Sequence, residues 1–245
     1  MDTAHVFLVS MAVAIVALLY SSVGHAGASG YIAVMTLAGF GAGVIKPTAL
    51  VLNILVAAIG AFQFWRAGHF SWNLFWPFAA LSVPAAYLGG YLHLPGLVFK
   101  PLVGVVLLFS AARLFIPRLD PPEATPPRRG TALGVGAGIG LLSGLTGTGG
   151  GIFLTPLMLF RRWARTRAAA AVSALFILVN SIAGLLGHFT SGQGVPPFAW
   201  VLAVAAVAGG TIGAHLGSRH LPVRAIHLLL ATVLIIAGVK LVFTW

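Results

Sequence analysis

Two short stretches of this chain carry the residue types for anion chemistry: Gly24-His25-Ala26-Gly27-Ala28-Ser29-Gly30 and Thr146-Gly147-Thr148-Gly149-Gly150-Gly151. Each runs directly into a short apolar segment. A helix starting there presents free backbone N–H groups and the positive end of its dipole. Glycine lets an oxyanion approach those groups, because no Cβ stands in the way. The candidate contacts are therefore Gly27, Ala28, Ser29 and Gly30 in the first break, and Thr146, Thr148, Gly149, Gly150 and Gly151 in the second. The hydroxyls of Ser29, Thr146 and Thr148 are additional donors. Asn53 and Asn180 lie inside apolar stretches, where an unpartnered amide is costly, and each could donate N–H groups to the same anion. Hydrogen bonding between helices explains the asparagines equally well, and close helix packing is the alternative for the glycines.

A proton-coupled cycle needs a group that titrates, and no Asp or Glu lies in any apolar stretch. Histidine is what remains. His25 is the histidine inside a glycine break, so it is the candidate for proton coupling. His69, His93, His188, His220 and His227 fall near loops or ends and read as interfacial. Lys46, Lys100, Arg113 and Lys240 stand near segment ends, where long side chains snorkel to the headgroups. Lys46, ahead of Asn53 on the same segment, is also placed to guide an incoming anion. The chain has no cysteine, which excludes thiolate metal sites and disulfides; neither a metal nor a cofactor is indicated.

The elements that must hold these groups are membrane helices. Of 245 residues, 59% are hydrophobic and 7% charged, against roughly 25% charged in soluble proteins. A water-facing surface cannot be built from that. The net charge of +11 comes from short arginine runs between apolar stretches, a pattern of membrane orientation rather than nucleic-acid binding. The apolar stretches run approximately 4–20, 31–42, 47–65, 74–92 and 98–116, then 131–145, 152–160, 168–187, 197–216 and 225–245. Asp2 and His5 precede the first without Lys or Arg, so a signal peptide's basic start is missing and the segment is expected to stay. Residues 4–40 as one helix would be about 55 Å long, nearly twice the ~30 Å hydrocarbon core. A break or fold-back at the first glycine cluster is expected instead.

The halves look alike. His93-Leu94-Pro95 recurs as His220-Leu221-Pro222, and the same offset pairs Asn53 with Asn180, Gly60 with Gly187 and Gly90 with Gly217; nearer the start of each half the offset is shorter, pairing Ser22 with Ser143 and Gly30 with Gly151. The expected organisation is a first transmembrane repeat over 1–116, a cytoplasmic linker over 117–130 with Pro121-Pro122 and Pro126-Pro127, and a second repeat over 131–245. Five segments per half collect Arg66, the linker arginines and Arg161–Arg167 on one side. An odd number inverts one half relative to the other. The expectation is thus an all-α polytopic protein of two inverted repeats, with glycine-rich broken helices near the midplane, as in many secondary transporters. It is multi-pass in a plasma membrane, its partners are an anion, protons and lipid, and its oligomeric state is open.

Leu142-Ser143-Gly144-Leu145-Thr146-Gly147-Thr148-Gly149-Gly150-Gly151-Ile152-Phe153-Leu154-Thr155-Pro156 resembles the Gly-rich signature of the TauE/SafE sulfite exporter family, and the first half is similar to a degenerate copy with Ala28 and Ser29 in place of Gly149 and Gly150. The resemblance implies a bacterial inner-membrane transporter of sulfur oxyanions or organosulfonates, driven by protons. A second class is kept as the alternative. Gly27-Ala28-Ser29-Gly30 with Ala214-His215-Leu216-Gly217 and Trp65-Arg66 resembles the motifs of rhomboid intramembrane serine proteases, with Ser29 and His215 as the dyad. That reading leaves the duplication unexplained.

Overall fold

The computed structural model describes residues 3–22, 25–115, 124–217 and 223–243. Gly24, residues 117–123 of the linker and His220 therefore lie outside the described residues. So do the side chains of Arg113, His215 and His227. Among the described residues the fold is all helix, with no strand. The first half carries α1 (Thr3–Ser22), α2 (Ala28–Leu37), α3 (Ala42–Arg66), α4 (Trp72–Tyr91) and α5 (Gly96–Phe115). The second carries α6 (Arg129–Thr146), α7 (Gly151–Phe160), α8 (Thr166–Thr190), α9 (Ala199–Gly217) and α10 (Val223–Phe243).

Each half has the same sequence of long, short, longest, long and long helices. The second member of each, α2 or α7, has ten residues and spans about 15 Å, half of a ~30 Å hydrocarbon core. Neither can cross a bilayer alone, so segments 31–42 and 152–160 are not crossings in their own right. Both fold back along the helix before them. Gly30 of α2 packs on Val16 and Tyr20 of α1, and the rings of His5 and Phe40 lie 6.0 Å apart. Gly150, at the head of α7, packs on Ile139 of α6.

Small residues set the helix contacts. Gly136, Gly140 and Gly144 of α6 repeat every four residues, and a Cβ at any of them would run into the carbonyl of Phe78, Ser82 or Ala86 on α4. The two helices therefore run parallel, backbone against backbone. Gly209 and Gly213 of α9 meet Ala14 and Leu18 of α1 in the same way. The α5–α10 and α3–α8 seams are antiparallel, whereas α4 and α8 run parallel, Ser82 bonding Asn180 and Tyr87 bonding Thr190 further along both helices. Gly104 of α5 packs on Val242 of α10 while Gly238 of α10 packs on Leu108 of α5, and Leu50 and Gly60 of α3 face Gly184 and Ala174 of α8. The last pair of contacts sets a register in which Asn53 lies opposite Ser181, and Lys46 opposite His188.

α3 and α8 are long and apolar enough to cross a membrane. The outer surface is apolar too: Val204 is 72% exposed and Leu97 70%, and Phe7, Leu8 and Ile15 line an exposed face of α1. Such a surface is compatible with lipid and not with water. At one end of the bundle the Thr125 N–H donates to the Arg162 carbonyl (2.9 Å) and the Arg129 guanidinium lies over the Trp76 ring. The near end of the linker and the arginine-rich turn after α7 therefore sit together.

Candidate functional site

The second break is built by backbone that only glycine adopts readily. Gly147, Gly149 and Gly150 have φ of 80°, 73° and 81°, in the left-handed region that costs other L-residues roughly 1–2 kcal/mol. This turn ends α6 and starts α7. The Phe153 and Leu154 N–H groups close onto the Gly150 carbonyl, both at 3.1 Å. The N–H groups of Gly151 and Ile152 come before those first helical bonds.

Four elements meet around this turn. From α3, Asn53 donates its amide to the Gly147 carbonyl (3.2 Å). From α8, the Ser181 hydroxyl lies 3.0 Å from where a Cβ on Gly149 would stand, with the Asn53 amide nitrogen 3.3 Å from the same point. From α6, the Ser143 side chain lies beside Gly150. The fourth contributor is the turn itself: Thr146 donates to Leu142 O (2.7 Å), and its Oγ1 is 3.0 Å from that of Thr148. Since the Thr146 proton is already committed, Thr148 is the donor of that pair, and neither threonine has a spare O–H.

Spare capacity lies elsewhere. Asn53 Oδ1, Asn180 Nδ2, Ser143 Oγ and Ser181 Oγ are buried without a hydrogen-bond partner. Asn180 accepts from Ser82 through its carbonyl oxygen, leaving its NH₂ unused. Each such orphan costs about 1–3 kcal/mol, so a cluster of them is tolerated where a ligand repays the cost. Ser143, Ser181 and Ser82 were not among the site residues expected from sequence. A serine on an apolar helix gives no sign of which neighbour it faces; the adjacency of Ser181 to Asn180 was the available signal.

The structure brings Asn53, Thr146, Thr148, Gly149 and Gly150 together, with Asn180 one residue from Ser181. Gly151 is packed, since a Cβ there would collide with Ile177. The first break is a different environment. Gly27 has φ 93° and faces the Tyr31 ring, Ala28 begins α2 buried, and Ser29 shares a 2.8 Å hydrogen bond with the Tyr20 hydroxyl. The Tyr31 hydroxyl is buried without a partner. The His25 N–H donates to Tyr20 O (2.9 Å), and its side chain is half-buried. Ser29 is thus bonded to Tyr20, and the side chain of His215, its partner in the serine–histidine alternative, lies outside the described residues.

Two residues depart from the interfacial reading. Lys46 is buried, its ammonium donating to the carbonyls of Gly89 (3.0 Å), Gly90 (2.9 Å) and Leu92 (3.1 Å) at the end of α4. His188 is only 1% exposed. Lys240 likewise donates to Thr36 O (3.1 Å) at the end of α2. These lysines cap helix C-termini, where the dipole favours a cation. Among the described residues no group of side chains could hold a metal ion.

An all-helical bundle with an apolar outer surface and polar groups buried at a helix break is the architecture of a membrane protein. Comparison with known proteins agrees and is more particular. The sulfite exporter TauE/SafE family matches residues 9–241, and the chain belongs to that family of membrane transporters. It is 44% identical over 251 residues to the probable membrane transporter protein y4hK of Sinorhizobium fredii, covering 99% of this chain and all of that protein. It is 32% identical to the probable membrane transporter protein YunE of Bacillus subtilis over 43% of this chain and 38% of that one, and 22% identical to the probable membrane transporter protein MJ0441 of Methanocaldococcus jannaschii over 78% and 76%. No solved structure matches the chain.

Proposed function

We propose that this protein is a secondary transporter that moves a sulfur oxyanion or small organosulfonate across the plasma membrane, coupled to protons, by alternating access. The observation that carries the reading is the set of unpartnered buried polar atoms around the second break, Asn53 Oδ1, Ser143 Oγ and Ser181 Oγ, with Asn180 Nδ2 unpartnered on the residue next to Ser181. Three of these residues can donate to an oxyanion at once, and Asn53 can do so by exchanging its bond to Gly147. Backbone N–H groups at the start of α7 add to them. The first break contributes His25 and the Gly27–Gly30 turn from the other half, with His25 as the proton carrier.

The two repeats, 1–116 and 131–245, are inverted copies joined by a cytoplasmic linker at 117–130. Support comes from direction: helices that hold the same place in copies inverted about an axis in the membrane plane run antiparallel where they meet, as α3 does with α8 and α5 with α10. Exchange of the two halves' roles then opens the site to each side in turn. Uptake into proteoliposomes tests the function, with sulfite, sulfate, thiosulfate and methanesulfonate offered under an imposed proton gradient. Transport of at least one of these anions, abolished when the gradient is collapsed, is the expected result. Failure with all four removes the oxyanion reading.

A further inference from the structure

The seam between α3 and α8 carries polar residues at two levels. In its antiparallel register Asn53 faces Ser181, and seven residues along each helix Lys46 faces His188. Seven residues are two turns, about 10.5 Å. Lys46 also touches the second break directly, since its carbonyl oxygen is 3.0 Å from where a Cβ on Gly147 would stand. The two levels share one seam, with Leu50 packed on Gly184 between them, and the upper level lies at the end of the bundle opposite the arginine turns.

The upper level is cationic without a counter-charge. Asp2, Asp120 and Glu123 are the chain's only acidic residues, and all lie outside the described residues, so no carboxylate side chain stands among the described ones. Among the described residues the Lys46 ammonium donates to the three carbonyls at the end of α4, which take all its N–H groups, so what it offers an anion is its charge. The His188 ring sits 6.1 Å from that of His93, with Nε2 3.4 Å from the Gly194 carbonyl and Nδ1 buried without a partner. Lys46 and His93 both lie within electrostatic range of it. The His93 Nε2 is 3.3 Å from the Ser191 hydroxyl, which itself donates to the His188 carbonyl (2.6 Å). Among the described residues the charged or titratable groups beside His188 are thus Lys46 from α3 and His93 from the turn after α4, while the Tyr87 hydroxyl of α4 is bonded to Thr190. The 191–198 loop contributes no titratable side chain. A proton on Nδ1 would create a buried N–H donor with no acceptor. An oxyanion would supply that acceptor and the missing negative charge together.

We propose that Lys46, His93 and His188 form a second anion site at this end of the α3–α8 seam, a station that takes up a small oxyanion together with a proton on His188 and feeds the Asn53–Ser181 site. The proposal rests on the transporter reading and adds to it a site where proton and anion bind as a pair.

The test is equilibrium binding of methanesulfonate, and of sulfate as a second probe, to the purified full chain in detergent at pH 5.5 and pH 8. Neither probe changes charge in that range, so any pH dependence belongs to the protein. Wild type should bind about 10-fold tighter at the lower pH. His188→Gln should reduce that ratio below about 2-fold, and His69→Gln, at the opposite end of the bundle, should keep it. Asn53→Ala removes the inner site, so the ratio should survive in it. Where His188→Gln is not monodisperse, His93→Gln replaces it and should roughly halve the ratio. An unchanged ratio in the monodisperse histidine variant overturns the station alone, as does a ratio lost in Asn53→Ala. A wild type that binds neither probe at either pH overturns the station, while the oxyanion reading stands or falls with the uptake of the four anions.

Discussion

The two glycine breaks hold matching places in the two halves, each before a ten-residue helix that folds back on its predecessor, yet they are lined in opposite ways. Around the first stand two tyrosines: Tyr20 is bonded to Ser29, and the Tyr31 ring fills the space under Gly27. The positions that match them at the shorter repeat offset are Leu141 and Ile152, so the tyrosines belong to the first half only. Around the second stand Asn53, Ser143, Thr148 and Ser181, with orphaned hydrogen-bonding atoms among them. The two breaks share a backbone device and differ in their lining. One is packed with aromatic rings, and the other holds polar groups with unused hydrogen-bonding atoms.

That contrast can be broken most directly at Gly150. Gly150→Val places a branched side chain at φ 81°, against Phe176 and Ile139, each 2.9 Å from the new Cβ. Transport should be abolished and stability should fall by about 2–4 kcal/mol, read by uptake and by denaturant unfolding. Normal uptake would mean the turn is not part of the site. Next come the donors. Asn53→Ala and Ser181→Ala should each lower uptake about 10- to 100-fold with little change in melting temperature, whereas Ser29→Ala at the first break should cost about 3-fold. Equal losses at the two breaks would make them equal partners in binding.

A smaller effect is expected at His25. His25→Gln keeps a hydrogen-bonding group that cannot charge, so the pH dependence of uptake between pH 5.5 and 8 should flatten by about 3-fold. A profile identical to wild type would take His25 out of the proton path. The smallest effect belongs to Tyr31→Phe, which deletes a buried, unpartnered hydroxyl. Stability should rise by about 1 kcal/mol and uptake should stay within about 2-fold of wild type. A marked loss of uptake would show that the tyrosine lining is also a ligand surface.

Membrane character and the positions of both breaks were legible in the sequence, because each is a property of local composition. Long apolar runs demand lipid, and glycine clusters interrupt helices wherever they stand. The Leu142–Pro156 signature also pointed to the family that the comparison over residues 9–241 identifies. Asn53, Thr146, Thr148 and Gly149 were picked out for being polar or small in an apolar run, and the fold does gather them. The fold-back of α2 and α7 was half-legible, since their length was visible but their direction was not.

What the tertiary structure alone decided is which polar groups share a level and face one another. Lys46 and His188 read as interfacial from their places near segment ends, but they are buried because α3 and α8 run antiparallel with those ends side by side. Ser143 and Ser181 gave no signal, since a serine on an apolar helix can bond its own backbone, a neighbour or nothing. The seven-residue spacings from Lys46 to Asn53 and from Ser181 to His188 acquire meaning only in the register set by Leu50 against Gly184 and Gly60 against Ala174. Hydropathy is a sum along the chain, whereas a binding site is a coincidence between chains of residues far apart in sequence, set by helix rotation and register that no local pattern encodes.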